Sequence, residues 1–209
     1  MAYATLTQFR LVTHFKEGEI SDSDVGSLIA DADRAIIRLT TTEVFLESLE
    51  GDIDGSNKDF RTKYKPIADA DADSSVGATD VTVYYATYDD VSNFIEYGSS
   101  QTVTSIQSKE GIITMTTAPT TTTAEAGVVC NYRYDTFGLV SYDILKLAAC
   151  YYLAYMVASK SAGELMTYRE LAAARFKPAG AGGDWLRLCF ETLGLQDKIY
   201  LVRAEGESL

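Results

Sequence analysis

Ser141–Lys160, SYDILKLAACYYLAYMVASK, is the longest run in this chain with helical periodicity and almost no helix breaker, and its reading decides the fold. Ile144, Leu147, Ala148, Tyr151, Tyr152, Tyr155 and Met156 recur at spacings of three and four, which places them in one stripe of a helix. Leu145, Ala149, Leu153, Ala154 and Val157 fill much of the remaining circumference, so the spacing predicts a central helix buried on two sides. Its second face packs either within the same core or against a neighbouring subunit. Ser141 suits the N-cap and Asp143 the first turn, where the helix dipole favours negative charge, while Lys160 and Gly163 suit the other end.

Working outward, Leu6, Phe9, Val12 and Phe15 predict a short helix over Thr5–Phe15 capped by Thr5. Ser21 opens a longer one, with Asp22 and Asp24 in its first turn and Val25, Leu28, Ile29, Ala32, Ile36 and Leu39 on one face. The β-branched Thr40, Thr41 and Thr42 interrupt it, and Glu43–Leu49 reads as a short helical or irregular link. From Asp52 the period changes. DIDGSN is a turn, and strand signals follow at Phe60–Tyr64, Val81–Ala86, Thr102–Ser108, Gly111–Thr117 and Val128–Tyr134. Lys109-Glu110-Gly111 reads as a hairpin turn with Gly111 at positive φ or in a bulge, and Pro119 with Thr120–Thr123 as a polar loop.

Beyond the central helix, Gly163–Phe176 reads equally as helix or extended chain, and Pro178 ends it. Ala179–Gly183, AGAGG, reads as a flexible joint before an apolar segment, Trp185–Leu193, capped by Asp184. Lys198–Leu209 has too little apolar surface to fold except on a partner. The expected fold is therefore α+β: an α-helical bundle with an inserted small antiparallel β-barrel or sandwich and an extended C-terminal tail. The expected divisions are 1–49 for the N-terminal helices, 50–136 for the β insertion, 137–178 for the central helix and the rest of the helical body, and 179–209 for a docking tail.

With 46% hydrophobic and 23% charged residues in 209, the composition is that of an ordinary globular protein. No apolar run approaches the roughly 20 residues that cross a bilayer, and Met1–Arg10 lacks the pattern of a signal peptide, so the chain reads as soluble and intracellular with no membrane partner. A net charge of −12 opposes tight nucleic-acid binding, which rests on clustered Lys and Arg. It suits a surface that lets DNA pass without sticking, and equally a salt-rich habitat. Cys130, Cys150 and Cys189 are an odd, widely spaced set in apolar surroundings and read as buried free thiols.

Little of the sequence carries chemistry. Asp69, Asp71 and Asp73 alternate, and Asp80 closes a twelve-residue span with Val76 at its eighth position, the acidic spacing of an EF-hand calcium loop. Ser74 stands where such a loop needs Gly and Asp80 where it needs Glu, and no helices flank the span, so a solvated acidic loop without a cofactor is the reading set against calcium. His14, the single histidine, sits in a helical pattern, which removes most metal sites and any Ser-His-Asp triad built elsewhere. No phosphate loop or HExxH is present, so no catalytic residue is assigned and the chain does not read as an enzyme.

The order ISDSDVGSLIADADRAIIRLT, DIDGSNKDFRTKYKPIAD and SYDILKLAACYYLAYMVAS, followed by a glycine-broken tail, resembles the head-tail adaptor, or connector, proteins of tailed viruses. The resemblance covers most of the chain, rests on pattern and element order, and includes no catalytic signature. It implies an α-helical body carrying a β insertion and a structural protein assembled as a ring, commonly of twelve. Such a ring lies beneath the portal, extends the channel for double-stranded DNA, and joins portal to a tail-completion or stopper protein at the virion neck, after synthesis in the host cytoplasm. The alternative function is a non-enzymatic module whose β domain binds a protein or carbohydrate.

Partner binding is expected in the tail, where Trp185, Leu186, Phe190 and Leu193 offer apolar anchors and Tyr200 and Leu201 lie in an extended segment able to add to a sheet edge. The competing expectation is that Trp185 folds back onto the central helix of its own subunit.

Overall fold

The computed structural model describes residues 2–18, 20–88, 94–120, 126–136, 141–161 and 185–195. The protein is α+β, and the chain divides into two units, one built from Met1–Leu39 with Val140–Leu209 and the other from Thr40–Leu139.

In the first unit, α1 (Leu6–Thr13) begins as the sequence predicts, with the Thr5 side chain accepting the Gln8 N–H. It ends at His14, whose φ of 60° places the histidine in a left-handed cap with its N–H on the Arg10 carbonyl. Helix α2 (Asp22–Thr40) follows Ser21, whose hydroxyl accepts the Asp24 N–H and donates to the Asp24 carboxylate. Helix α3 (Tyr142–Ser161) is the central helix of this unit, packed against α1 and against α4 (Trp185–Thr192). Helix α2 is tied to this group through Asp33, which is buried and accepts the Ala4 N–H at 2.9 Å.

The buried stripe of α3 differs from the one expected. Leu145, Ala148, Ala149, Leu153, Ala154 and Val157 lie deepest, whereas Ile144 is 40% exposed and Leu147, Tyr151, Tyr152, Tyr155 and Met156 are half-buried. A helix apolar around most of its surface lets its neighbours choose the face, and they chose the one with smaller residues, which allows closer approach.

The second unit holds seven strands among the described residues: β1 (Thr41–Ser48), β2 (Asp59–Arg61), β3 (Thr82–Tyr88), β4 (Phe94–Gln101), β5 (Val103–Gln107), β6 (Ile112–Met115) and β7 (Ala126–Asp135). They form two antiparallel sheets, ordered β1-β7-β3-β4 and β2-β6-β5. Val83, Val128, Cys130 and Tyr132 of the larger sheet share one apolar core with Phe60, Val103, Ile113 and Met115 of the smaller. The described strands form no closed barrel. The β5–β6 hairpin turns as the sequence predicts, with Gly111 at a φ of 68°. A Cβ there would meet Thr62 Oγ1 at 2.4 Å, so glycine is required twice over.

Two strands correct the sequence reading. Thr41–Ser48 is a strand paired with β7, not a helical or irregular link, so the boundary of the β unit falls at Thr40 and not at 50. Helix α2 runs into it without a loop: Thr40 is the last helical residue and Thr41 the first of the strand. The threonines that end the helix are β-branched, which is also why they begin a strand well. Phe94–Gln101, read as no element, is β4, the partner of β3. The chain leaves the β unit beside where it entered, because Thr136 donates both its N–H and its hydroxyl to the Thr40 carbonyl.

The expected tail, 179–209, is also redrawn. Trp185–Thr192 is a helix of the first unit, and the joint Ala179–Gly183, the ambiguous Gly163–Phe176 and Lys198–Leu209 lie outside the described residues.

Candidate functional site

The acidic span hangs between the β2 and β3 regions and is built from its own carboxylates. Asp69, itself buried, accepts the Asp73 N–H at 3.3 Å on Oδ1 and the Ser74 N–H at 2.8 Å on Oδ2. Asp71 accepts the Asp73 N–H at 3.0 Å, and Asp73 accepts both the N–H and the hydroxyl of Ser75. Each is an aspartate bonding the backbone a few residues on, the geometry that makes Asp a turn residue. Ala72 and Ser74 take positive φ of 62° and 71°, the bends that such turns require.

Carboxylate oxygens of Asp69, Asp71 and Asp73 come within 4.8 Å of one another, so these three are brought together as the sequence predicts. Asp80 is not in that group. It is buried, and its two oxygens accept the N–H groups of Ala70, Asp71 and Gly77 at 2.5, 3.3 and 2.7 Å, bracing the two ends of the loop. Asp80, expected as a fourth ligand, stands apart from that cluster, and its oxygens serve amides that the loop would otherwise bury unpaired.

The electrostatics follow the burial. Desolvation pushes the Asp80 carboxyl above its ordinary pKa, opposed by the Gly77 and Ala70 amides and reinforced by the charges of Asp69 and Asp71. On the exposed side, the Ser75 hydroxyl, joined by the Ser75 N–H, holds Asp73 below the usual carboxylate range. Three clustered oxygens meet half of what calcium needs, since it takes six to eight. What the arrangement does with its own atoms is close a turn.

The aromatic anchors of the expected tail are spent at home. Trp185 stacks on Tyr151 of α3 at 6.0 Å between ring centroids and tilts against Phe15 at 5.8 Å, while Leu186, Cys189, Leu193 and Leu195 are buried. The competing expectation for Trp185 therefore holds, and a Trp185–Leu193 strap free to swing is corrected: its stripe at spacings of three and four matches the apolar face of α3. Phe190 is half-buried on the same helix, and Tyr200 and Leu201 lie outside the described residues.

The remaining candidates read as structure. His14 caps α1. Burial pushes the thiols of Cys130 and Cys189 up to about 12 and that of Cys150 to about 11, which leaves them protonated and inert.

The sequence reading missed one residue displayed by the fold. Between Val44, paired with Tyr132, and Glu47, paired with Cys130, the register of β1 slips so that Phe45 and Leu46 both face Asn131. Leu46 takes a φ of 48°, rare for a leucine, and the Asn131 side chain supports the bulge by accepting the Leu46 N–H at 2.7 Å. Phe45 is left 68% exposed. Three consecutive apolar residues, Val44-Phe45-Leu46, carried the signal: in a strand, at least one of them must face outward.

Compared with known proteins by sequence, the chain matches no protein family and no curated relative.

Proposed function

We propose that this protein is a structural head-tail adaptor of a tailed virus, a ring-forming subunit that joins portal to tail and does no chemistry of its own. The observation that carries the reading is the way one unit interrupts the other: the helical unit is assembled from both ends of the chain, and a single β unit is inserted between α2 and α3. That is the architecture the resemblance implies, with the helices forming a bundle and the two sheets a small sandwich. In this role the chain closes into a dodecameric ring beneath the portal, meets a tail-completion or stopper protein on its other side, and works at the virion neck after synthesis in the host cytoplasm. The net charge of −12 suits a channel wall along which double-stranded DNA slides without sticking. No described helix is long and apolar enough to cross a membrane, and the role requires neither membrane nor resident cofactor.

Native mass measurement of the purified chain, alone and mixed with its portal protein, tests the reading. A closed ring, or single chains that assemble once the portal is added, is expected. A chain that stays single in both conditions overturns it.

A further inference from the structure

Strand β1 is an edge of the larger sheet and, over Thr41–Ser48, pairs with β7 on one side. Edges normally carry charge, a bulge or a cover that blocks added strands. Here the bulge does the reverse of hiding apolar surface, because it raises Phe45 to 68% exposure on a left-handed Leu46 that Asn131 must hold. The local sequence is EVFLE, Glu43–Glu47, three apolar residues bracketed by carboxylates.

The chain continues fourteen residues past Leu195, the last described position, and contains there the inverse pattern: KIYLVR, Lys198–Arg203, four apolar residues bracketed by cations. In a protein of net charge −12, two basic residues flanking Ile199–Val202 are complementary to β1 in both charge and apolar character. The carboxylates retain capacity for them. Glu43 pairs with Arg133 at 3.0 Å but its side chain is 48% exposed, and a single oxygen of Glu47 receives the Lys63 N–H and the Tyr132 hydroxyl. The other sheet edges lack this match: β4 presents Tyr97, Gly98, Ser99 and Ser100 to solvent, β5 carries no charged residue, and β2 is three residues long with Asp59 and Arg61 of opposite charge around a buried Phe60.

We propose that Lys198–Arg203 of one copy adds as a strand to the outer edge of β1 in a second copy, its apolar side chains covering Phe45 and its cations meeting Glu43 and Glu47. This rests on the ring reading above and names how neighbours in the ring are joined. Backbone hydrogen bonds to β1 supply the hold, and the charges at each end set direction and register.

The test mixes two chains that each carry one introduced cysteine, Phe45→Cys and Leu201→Cys, under mild oxidation. The three native thiols are buried, so disulfides report on the introduced pair. A reducible heterodimer is expected, about tenfold more abundant than from Leu201→Cys mixed with Leu11→Cys, because docking raises the effective concentration of the matched pair. Phe45→Ser and deletion of Lys198–Leu209 should both lower the mass of the assembly while leaving the circular dichroism spectrum unchanged. No excess of heterodimer, or closure within one chain when both cysteines are placed together, overturns the proposal. A deletion variant that still forms the ring sinks the strand exchange and leaves the ring reading standing.

Discussion

Helix α4 and strand β1 are each eight residues long and each carries bulky apolar side chains, yet they use them in opposite ways. Helix α4 turns Leu186 and Cys189 inward and lays Trp185 on Tyr151, so its apolar surface is consumed inside its own subunit. Strand β1 leaves Phe45 in solvent and supports that exposure with a bulge, a left-handed leucine and a side chain from β7. A period of 3.6 gathers apolar residues onto one face, whereas a period of two divides them between faces unless the backbone slips. Apolar content alone did not say which segment leaves its side chains exposed; the backbone it was placed on did.

The largest expected effect attacks the platform that consumes α4. Leu153→Asp places a carboxylate in a fully buried position of α3, at several kcal/mol, a large share of a domain's total stability. Loss of soluble, helical protein by circular dichroism is expected, with a smaller loss for Leu147→Asp, because Leu147 is half-buried. Equal tolerance of both would remove α3 from the centre of the fold.

The direct comparison comes next. Trp185→Ala should destabilise the isolated chain by about 2–3 kcal/mol in urea unfolding, below the 3–5 typical of a fully buried aromatic, while Phe45→Ala should stay within about 0.5 kcal/mol. Similar losses at the two sites would erase the distinction drawn between them. Asn131→Ala sharpens it on the β1 side: removing the acceptor of the Leu46 N–H should cost about 1 kcal/mol, and Asn131→Asp, which keeps an acceptor there, should retain most of the stability.

Much of this fold was legible because its signals are local. Thr5 and Ser21 cap the helices that follow them, and Gly111 turns the hairpin that its neighbours predict. Strand β1 was not, because what makes it a strand lies far away in sequence: Leu46 and the Asn131 that props it are 85 residues apart. Strand β4 was hidden by Gly98, Ser99 and Ser100, which weaken any propensity reading, and is held by its pairing with β3. At the acidic loop, spacing correctly grouped Asp69, Asp71 and Asp73 but could not reveal that Asp80 serves the loop's own amides.

That loop spends its carboxylates on its own backbone, as α4 spends its apolar side chains on its own subunit, and predicts the two smallest effects. With its carboxylates already engaged, 1 mM calcium should leave the melting temperature unmoved; a rise abolished by Asp71→Ala would instead establish a bound ion. The Asp80 carboxyl, followed by carbon NMR, should titrate above the ordinary aspartate value of about 3.9. Because its folded pKa is raised, the stability linked to its proton is present below the unfolded value and is lost as pH rises through the folded one. A midpoint at or below the ordinary value would mean that the amides outweigh burial.

The double hydrogen bond from Thr136 to the Thr40 carbonyl has a consequence for the order in which the molecule forms. Between α2 and α3 stand the hundred residues from Thr40 to Leu139, and closing an unfolded loop of that length costs on the order of 4 kcal/mol in chain entropy. Once the strands have paired, Thr40 and Thr136 are pinned on one carbonyl, so most of that closure cost is met inside the β unit. Formed first, the β unit brings the ends of its own hundred residues together and so shortens the loop left to close between α2 and α3.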